Sequence, residues 1–305
     1  PEAIDEASGL AVSQRHDGIV WVHNDGRDST LWALRPDATP DGTVIAPVAR
    51  VEVAFKMWDW EALEVSTCPA ALDAPSCLWI ADTGNNGLYQ KTVALQVIAE
   101  PELTPASMEG EAPLLTPLVL HLRYPESRQD VEAMVVVDGT PWLISKGNEG
   151  AASLYRVPLP PSWTDTGMAA RARRPVEPGA GVPPEPGASK NHPVTVDKMQ
   201  ELAPGGLNMV RQFTGGSFVP AREGDASAPA RIVLRSYTQL RLFTLTDTLA
   251  VPVEGGELNL MPLREAQGEG VSVGPDGRVW LVSESGPTAG RGGLTVIRCE
   301  ALAGG

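Results

Sequence analysis

Three glutamates stand at the same place in three similar stretches: Glu61 in DWEALEV, Glu132 in DVEAMVV and Glu269 in QGEGVSV. Each opens an apolar run, and after a turn a second apolar run returns: CLWIADTG, TPWLISKG and RVWLVSES. Two further stretches carry the same pattern. EASGLAV…IVWVHNDG has Glu6 close by, and TGGSFVP…RIVLRSYT puts Gly216 at the glutamate position. The returning runs carry a second column. Trp21, Trp79, Trp142 and Trp280, with Val233 in the remaining stretch, are each followed three positions later by a small polar residue: Asn24, Asp82, Ser145, Ser283 and Ser236. Carboxylates gathered from several such segments repel one another, so some take up protons, pair with a base or bind a cation. Oxygen ligands without a His or Cys cluster favour a hard cation, Ca2+ before Mg2+. The loop DTGNNG, Asp82–Gly87, has the Asx oxygens and glycines of a partial calcium loop, although Asp and Asn are also ordinary turn residues.

What must position these residues is a set of hairpins. In a hairpin the start of the first strand and the end of the second lie at one end of the sheet. The opening triplets and the small polar column therefore meet. This gathers Glu6, Asp59, Glu61, Asp130, Glu132 and Glu269, with Asn24, Asp25, Asp82, Asn85, Glu284, Lys146 and Arg235 around them. Lys146 and Arg235 read as occupying equivalent repeat positions. Three readings of the ring stay open: strand-end caps that bridge blades, a bound cation, and a salt-bridged site without metal.

The glutamate-position residues are separated by 55, 71, 84 and 53 residues. Four strands of about five residues with turns need roughly 40 to 50, so each interval holds one four-stranded antiparallel unit and the longer ones hold insertions. Residues 157–193 are too rich in Pro, Gly and Ala to pack as sheet, and 99–117 read as a second loop of that kind. Strand-like runs such as YQKTVALQVI and LNLMPLREA fill the intervals, with at most a few helical turns in 164–174. Radially repeated units of this length make a propeller. The expected fold is thus all-β: a single β-propeller domain over 1–305, with five blades, or six if a long interval hides a degenerate one, and with 157–193 as a surface insertion. The fifth repeat ends after a third strand, GGLTVIRCEAL. Its fourth would come from residues before Glu6, and PEAID looks short for it, so the natural chain is expected to begin further upstream.

The chain of 305 residues carries a net charge of -14, which argues against nucleic acid or an anionic membrane as partner. It contains no apolar stretch of membrane-spanning length. Cys68 and Cys77 flank a short polar loop between two apolar runs. Opposed across a hairpin they suit a disulfide and an oxidising, exported location, the alternative being two unrelated thiols. Cys299 reads as a buried free thiol. His23 reads as packed rather than functional, and the Trp column as packing between blades rather than a sugar platform. No G-x-S-x-G, H-E-x-x-H, P-loop or dinucleotide motif is present. A monomer is expected.

The segments SGLAV…WVHND, DWEALEV…LWIADTGNN, DVEAM…LISKG, TGGSFVP…IVLRSYT and QGEGVSV…PDGRVWLVSES resemble a bacterial propeller family, distantly similar to the phytase-like and gluconolactonase-like calcium propellers. The resemblance spans nearly the whole chain. It implies calcium held by Glu6, Glu61, Glu132 and Glu269 with Asp82 or Asn24, and a metal that polarises a lactone or phosphate ester. Two functions are expected to compete. One is a calcium-dependent hydrolase of an ester, lactone or phosphoester, in which Glu61 or Glu132 activates water and Lys146 or Arg235 steadies negative charge. The other is a non-catalytic binding or scaffold propeller of the cell envelope with a structural ion or small-molecule ligand.

Overall fold

A computed structural model describes residues 4–26, 28–36, 45–56, 58–103, 112–148, 150–165, 185–203, 209–222, 224, 228–285, 292–299 and 302. The first blade is β1 (Ala7–Val12), β2 (Val20–Asn24), β3 (Thr30–Leu34) and β4 (Pro47–Val53). The second begins with β5 (Trp60–Ser66), β6 (Cys77–Asp82) and β7 (Val93–Ala99). The chain then lays a two-residue strand, β8 (Leu114–Leu115), parallel against β4, and returns as β9 (Leu118–Arg123) to complete the second blade. The third is β10 (Val131–Val137), β11 (Thr140–Ser145) and β12 (Ala152–Arg156), to which β13 (Val194–Thr195) does not belong, because it pairs parallel with β9. The outer strand of the third is β14 (Asp197–Ala203). The fourth is β15 (Phe213–Val219), β16 (Arg231–Ser236), β17 (Gln239–Leu245) and β18 (Ala250–Asn259). Among the described residues the fifth has three strands, β19 (Gln267–Val273), β20 (Arg278–Glu284) and β21 (Gly293–Arg298).

The inner strands touch in ring order, β1 on β5, β5 on β10, β10 on β15, β15 on β19, and β19 back on β1. This is a five-bladed β-propeller, and no sixth blade is inserted in that ring. Five apolar layers fill the five spaces between blades, and the tryptophan column supplies one large side chain to four of them. Trp21 packs toward the second blade, Trp79 toward the third, Trp142 toward Phe213 of the fourth, and Trp280 toward Leu10 and Val22 of the first. Val233 stands in the fifth layer with Leu281 and Val271. All four tryptophans are buried, so the column is packing, as expected.

The two expected loops do more than connect. The first contains β8, the second runs directly into β13, and each of these short strands covers the open backbone edge of the preceding blade. Such an edge would otherwise leave a row of unpaired donors and acceptors. One helical turn, Pro161–Thr164, brings buried Trp163 to 6.1 Å from the Trp79 ring. The middle of the insertion, 166–184, lies outside the described residues, as do residues 1–3, where a fourth strand for the last blade was expected.

Cys68 and Cys77 form a disulfide, with Cα atoms 5.0 Å apart, at the hairpin between β5 and β6, where Ser66 pairs with Cys77. Cys299 is free and half-buried against the layer that holds Val233. A cross-link spanning nine positions restricts the unfolded chain by about 2.5 kcal/mol. Reduction is expected to lower the melting temperature by roughly 5 °C, read by calorimetry with and without a thiol reductant. Among the described residues no helix is long and apolar enough to cross a membrane.

Candidate functional site

At the start of every inner strand the pairing with its neighbour slips. The register passes from Trp60↔Asp82 to Ala62↔Ala81, from Val131↔Ser145 to Ala133↔Ile144, and from Phe213↔Ser236 to Gly215↔Arg235. It also slips between Ala7 and Leu10 and between Gly268 and Val271. Such a bulge leaves one residue unpaired and re-aims its side chain. The residues it frees are Glu61, Glu132 and Thr214, with Ser8 and Glu269 at the matching place in the other two blades.

This corrects two alignments read from the sequence. The fourth blade's counterpart of the glutamates is Thr214, not Gly216, which pairs regularly with Leu234. The first blade's is Ser8, while Glu6 matches Asp59 and Asp130. Both substitutes span to the next blade. Thr214 Oγ1 donates to the carbonyls of Gly268 and Glu269, and Ser8 Oγ to the Glu61 carbonyl.

Two carboxylate triads result. Asp25, Asp59 and Glu61 form one, and Glu61, Asp130 and Glu132 the other; within each, one oxygen per residue lies within 4.8 Å of the others. Glu61, Asp130 and Glu132 are buried, while Asp25 and Asp59 sit half-buried at the rim. Burial, then Glu132, Asp25, Asp59 and Asp130, push the Glu61 carboxyl well above the usual range. Asp59 rises to about 7 through burial and the charge of Asp25, with which it also shares a hydrogen bond. Glu269 rises to about 8, chiefly by burial, and Glu284 to about 7 by burial together with Asp25 and Glu6.

One cation enters the group. Lys146 Nζ donates to Glu132 Oε1 and lies 5.5 Å from the Tyr237 ring. Burial, the largest single influence, would lower the Lys146 pKa, but the charges of Glu132 and Tyr237 and the hydrogen bonds to both together outweigh it and raise it. Burial drives the Glu132 carboxyl up, and the Lys146 ammonium pulls against it.

Several residues expected at the site are placed elsewhere or committed otherwise. Glu6 is exposed and belongs to neither triad; the neighbouring Asp25 takes that side of the mouth. Asp82 spends its carboxylate on the chain, accepting from the Trp58 and Asp59 amides at 2.8 and 2.7 Å and from Gln96 Nε2 at 3.2 Å. Asn85 likewise closes the loop onto Gln90, and its amide donates to Asp130 Oδ1 at 2.8 Å. DTGNNG is thus a turn whose hydrogen bonds fix Asp59 and Asp130. Asn24 is buried at the end of β2, paired with Ala7.

Lys146 and Arg235 are not equivalent. With Ser145 and Ser236 aligned by their partners Val131 and Phe213, Lys146 matches Tyr237, and Arg235 matches Ile144, two residues deeper than Lys146. Arg235 is fully buried, bound to Glu265 and to the carbonyls of Gly270 and Val282. His23 is buried with Nδ1 against the Asn24 carbonyl at 2.9 Å and its ring edge-on to Trp60. Burial lowers its pKa to about 4, so it is a neutral core residue.

No protein-family profile and no curated protein matches the chain. Among solved structures it is similar to the PQQ-bound aldose sugar dehydrogenase from Streptomyces coelicolor, at 11% identity over 96% of this chain and 95% of that one, with a TM-score of 0.48. The apo-form soluble aldose sugar dehydrogenase from Escherichia coli gives 10% identity over 97% of each chain and 0.46. A putative 6-phosphogluconolactonase from Bacteroides uniformis gives 10% identity over 95% of this chain and 71% of that one, with 0.38. Similarity at this level bears on neither reaction nor ligand.

Proposed function

We propose that the mouth binds a hard divalent cation, calcium first, and that with it the protein is an exported hydrolase of an ester, lactone or phosphoester. The observation that carries this reading is the pair of triads sharing Glu61, five carboxyl groups from three blades against a single ammonium. Oxygens 2.3–2.6 Å from one Ca2+ are at most about 5 Å apart, so either triad has the spacing, and its all-oxygen chemistry suits that ion. The Asp25–Asp59–Glu61 triad is the better holder, because Lys146 already balances Glu132 in the other. A cation held there would supply Lewis-acid polarisation of the scissile carbonyl or phosphoryl oxygen.

The chain's own groups divide the remaining work. Asp59 and Glu61 hold the ion, with Gly84 behind them. Glu132, made more basic by burial, takes a proton from the attacking water. Lys146 opposes protonation of Glu132 and steadies negative charge growing on the substrate. The disulfide supports an exported location. A non-catalytic reading draws on the bonds that these carboxylates make between blades, from Ser8 to Glu61 and from Asn85 to Asp130; the ion would then pin the blades.

The test is calcium titration of chelator-treated protein by calorimetry. Glu61→Gln is expected to weaken binding by roughly tenfold or more. Gly84→Ala is expected to do the same without replacing a ligand, since its Cβ would lie 2.1 Å from Glu61 Oε1 and 2.5 Å from Asp59 Oδ2 and would displace both. Titration curves unchanged in both variants would remove the site. Turnover of 4-nitrophenyl acetate or bis(4-nitrophenyl) phosphate that Glu132→Gln abolishes, with calcium binding kept, supports the hydrolase. Binding without any turnover favours the pin.

A further inference from the structure

Between the fourth and fifth blades, on the same end as the carboxylates, lies a cavity of about 170 Å³. A water's share of liquid volume is about 30 Å³, so the space suits a small organic molecule. Its walls are of two kinds. Met209, Leu260 and Met261 form an apolar side, and the two methionines are largely exposed, at 52% and 67%. Exposed methionines are unusual, and their flexible thioethers adapt to varied apolar surfaces. Tyr237, Glu265 and Gln267 line the other side.

The polar side has unused bonding capacity. Glu265 gives Oε2 to Arg235, while its buried Oε1 has no partner among the described residues, nor has the buried Thr238 Oγ1. A buried acceptor left unmet costs stability, so the side favours a ligand that brings a donor. Because Arg235 already neutralises Glu265, that donor belongs to a neutral group, a hydroxyl or an amide, rather than an ammonium.

The cavity is joined to the carboxylates through its own lining. Tyr237 lies against Lys146, which binds Glu132, and Gln267 Nε2 donates to Glu269 Oε1 at 2.8 Å. A molecule seated on Met209 and Met261 and extended past Tyr237 presents its other end to the Lys146–Glu132 pair.

We infer that this cavity is the pocket for the organic part of the ligand, and that it takes a small neutral hydroxylated molecule with one apolar face. The inference rests on the reading of the mouth as the reaction site and adds to it what the substrate carries. The test is titration of protein labelled at the methionine methyl carbons with methyl 3-hydroxybutyrate, a neutral hydroxy ester, and in parallel with methyl butyrate, which lacks the hydroxyl. Saturable shifts of the Met209 and Met261 methyl resonances are expected, with the hydroxy ester about tenfold tighter. Ala266→Phe, which fills the cavity, is expected to abolish them. Glu61→Gln is expected to leave them intact while weakening calcium binding, so a failed cation reading and a failed pocket are told apart. Absence of saturable shifts, equal affinity for the two esters, or shifts that persist in Ala266→Phe would overturn the inference.

Discussion

Chelator-treated protein is expected to melt at a lower temperature at pH 8 than at pH 5, and calcium is expected to remove most of the difference. The direction follows from the carboxyl groups of the mouth. Their folded-state pKa values lie above the unfolded ones: Asp59 at about 7 against 3.8, Glu284 at about 7 and Glu269 at about 8 against 4.5. The folded protein therefore holds more protons than the unfolded chain between about pH 4 and 8, and stability falls as pH rises through that window. A tenfold difference in proton affinity between the folded and unfolded states corresponds to about 1.4 kcal/mol. Glu269 is nearly fully buried and keeps most of its share; Asp59 and Glu284 are half-exposed and count for less, because solvent screens them. Across the group the loss is on the order of several kcal/mol. A cation replaces the protons as counter-charge, so saturating calcium flattens the curve. Scanning calorimetry at several pH values, in chelator and in calcium, reads both effects, and a metal-free melting temperature flat from pH 5 to 8 would contradict the charge balance described for the mouth.

Blade number and the end of the propeller that gathers the carboxylates were legible in the sequence, because each blade repeats an apolar period of two and a hairpin fixes which ends meet. Side-chain register was not. The bulge that opens each inner strand adds one residue to that strand in every blade, and a bulge has no signature in hydrophobic pattern. Aligning by the apolar runs therefore put Gly216 where Thr214 belongs and Glu6 where Ser8 belongs. It also placed Arg235 level with Lys146, an error of two positions along a strand. The chemistry of Asp82 was hidden for a different reason. An Asx oxygen in a turn serves a metal or the backbone equally well, and only the amides of Trp58 and Asp59 decide it. Asp25 was visible as a neighbour of the site, but its rank above Glu6 depends on the bend after β2.

Arg235→Ala is expected to be the most destabilising single substitution at this end of the propeller. The guanidinium is fully buried and joins the fourth blade to the fifth, with Nη1 on the Gly270 and Val282 carbonyls, both at 2.9 Å, and Nη2 on Glu265. Gly268 leaves it room, since a Cβ there would lie 2.2 Å from Nη2. Truncation strands the Glu265 carboxylate, worth about 3–5 kcal/mol for a broken buried pair, and leaves two carbonyls unmet at about 1–3 kcal/mol each. The sum rivals the whole stability of an ordinary domain, about 5–15 kcal/mol. Arg235→Lys restores little, because an ammonium lacks the fork that reaches three acceptors at once. Replacing both partners, Arg235→Met with Glu265→Leu, removes the stranded charge and is expected to recover most of the loss, short of the two carbonyls. Urea denaturation of the two variants and the pair measures this ordering. The catalytic role that the sequence suggested for Arg235 makes the opposite forecast: a single variant that unfolds like the parent and loses only turnover. A guanidinium with no exposed surface and its donors directed at backbone carbonyls favours the first outcome, which leaves Lys146 as the cation at the mouth able to meet a substrate.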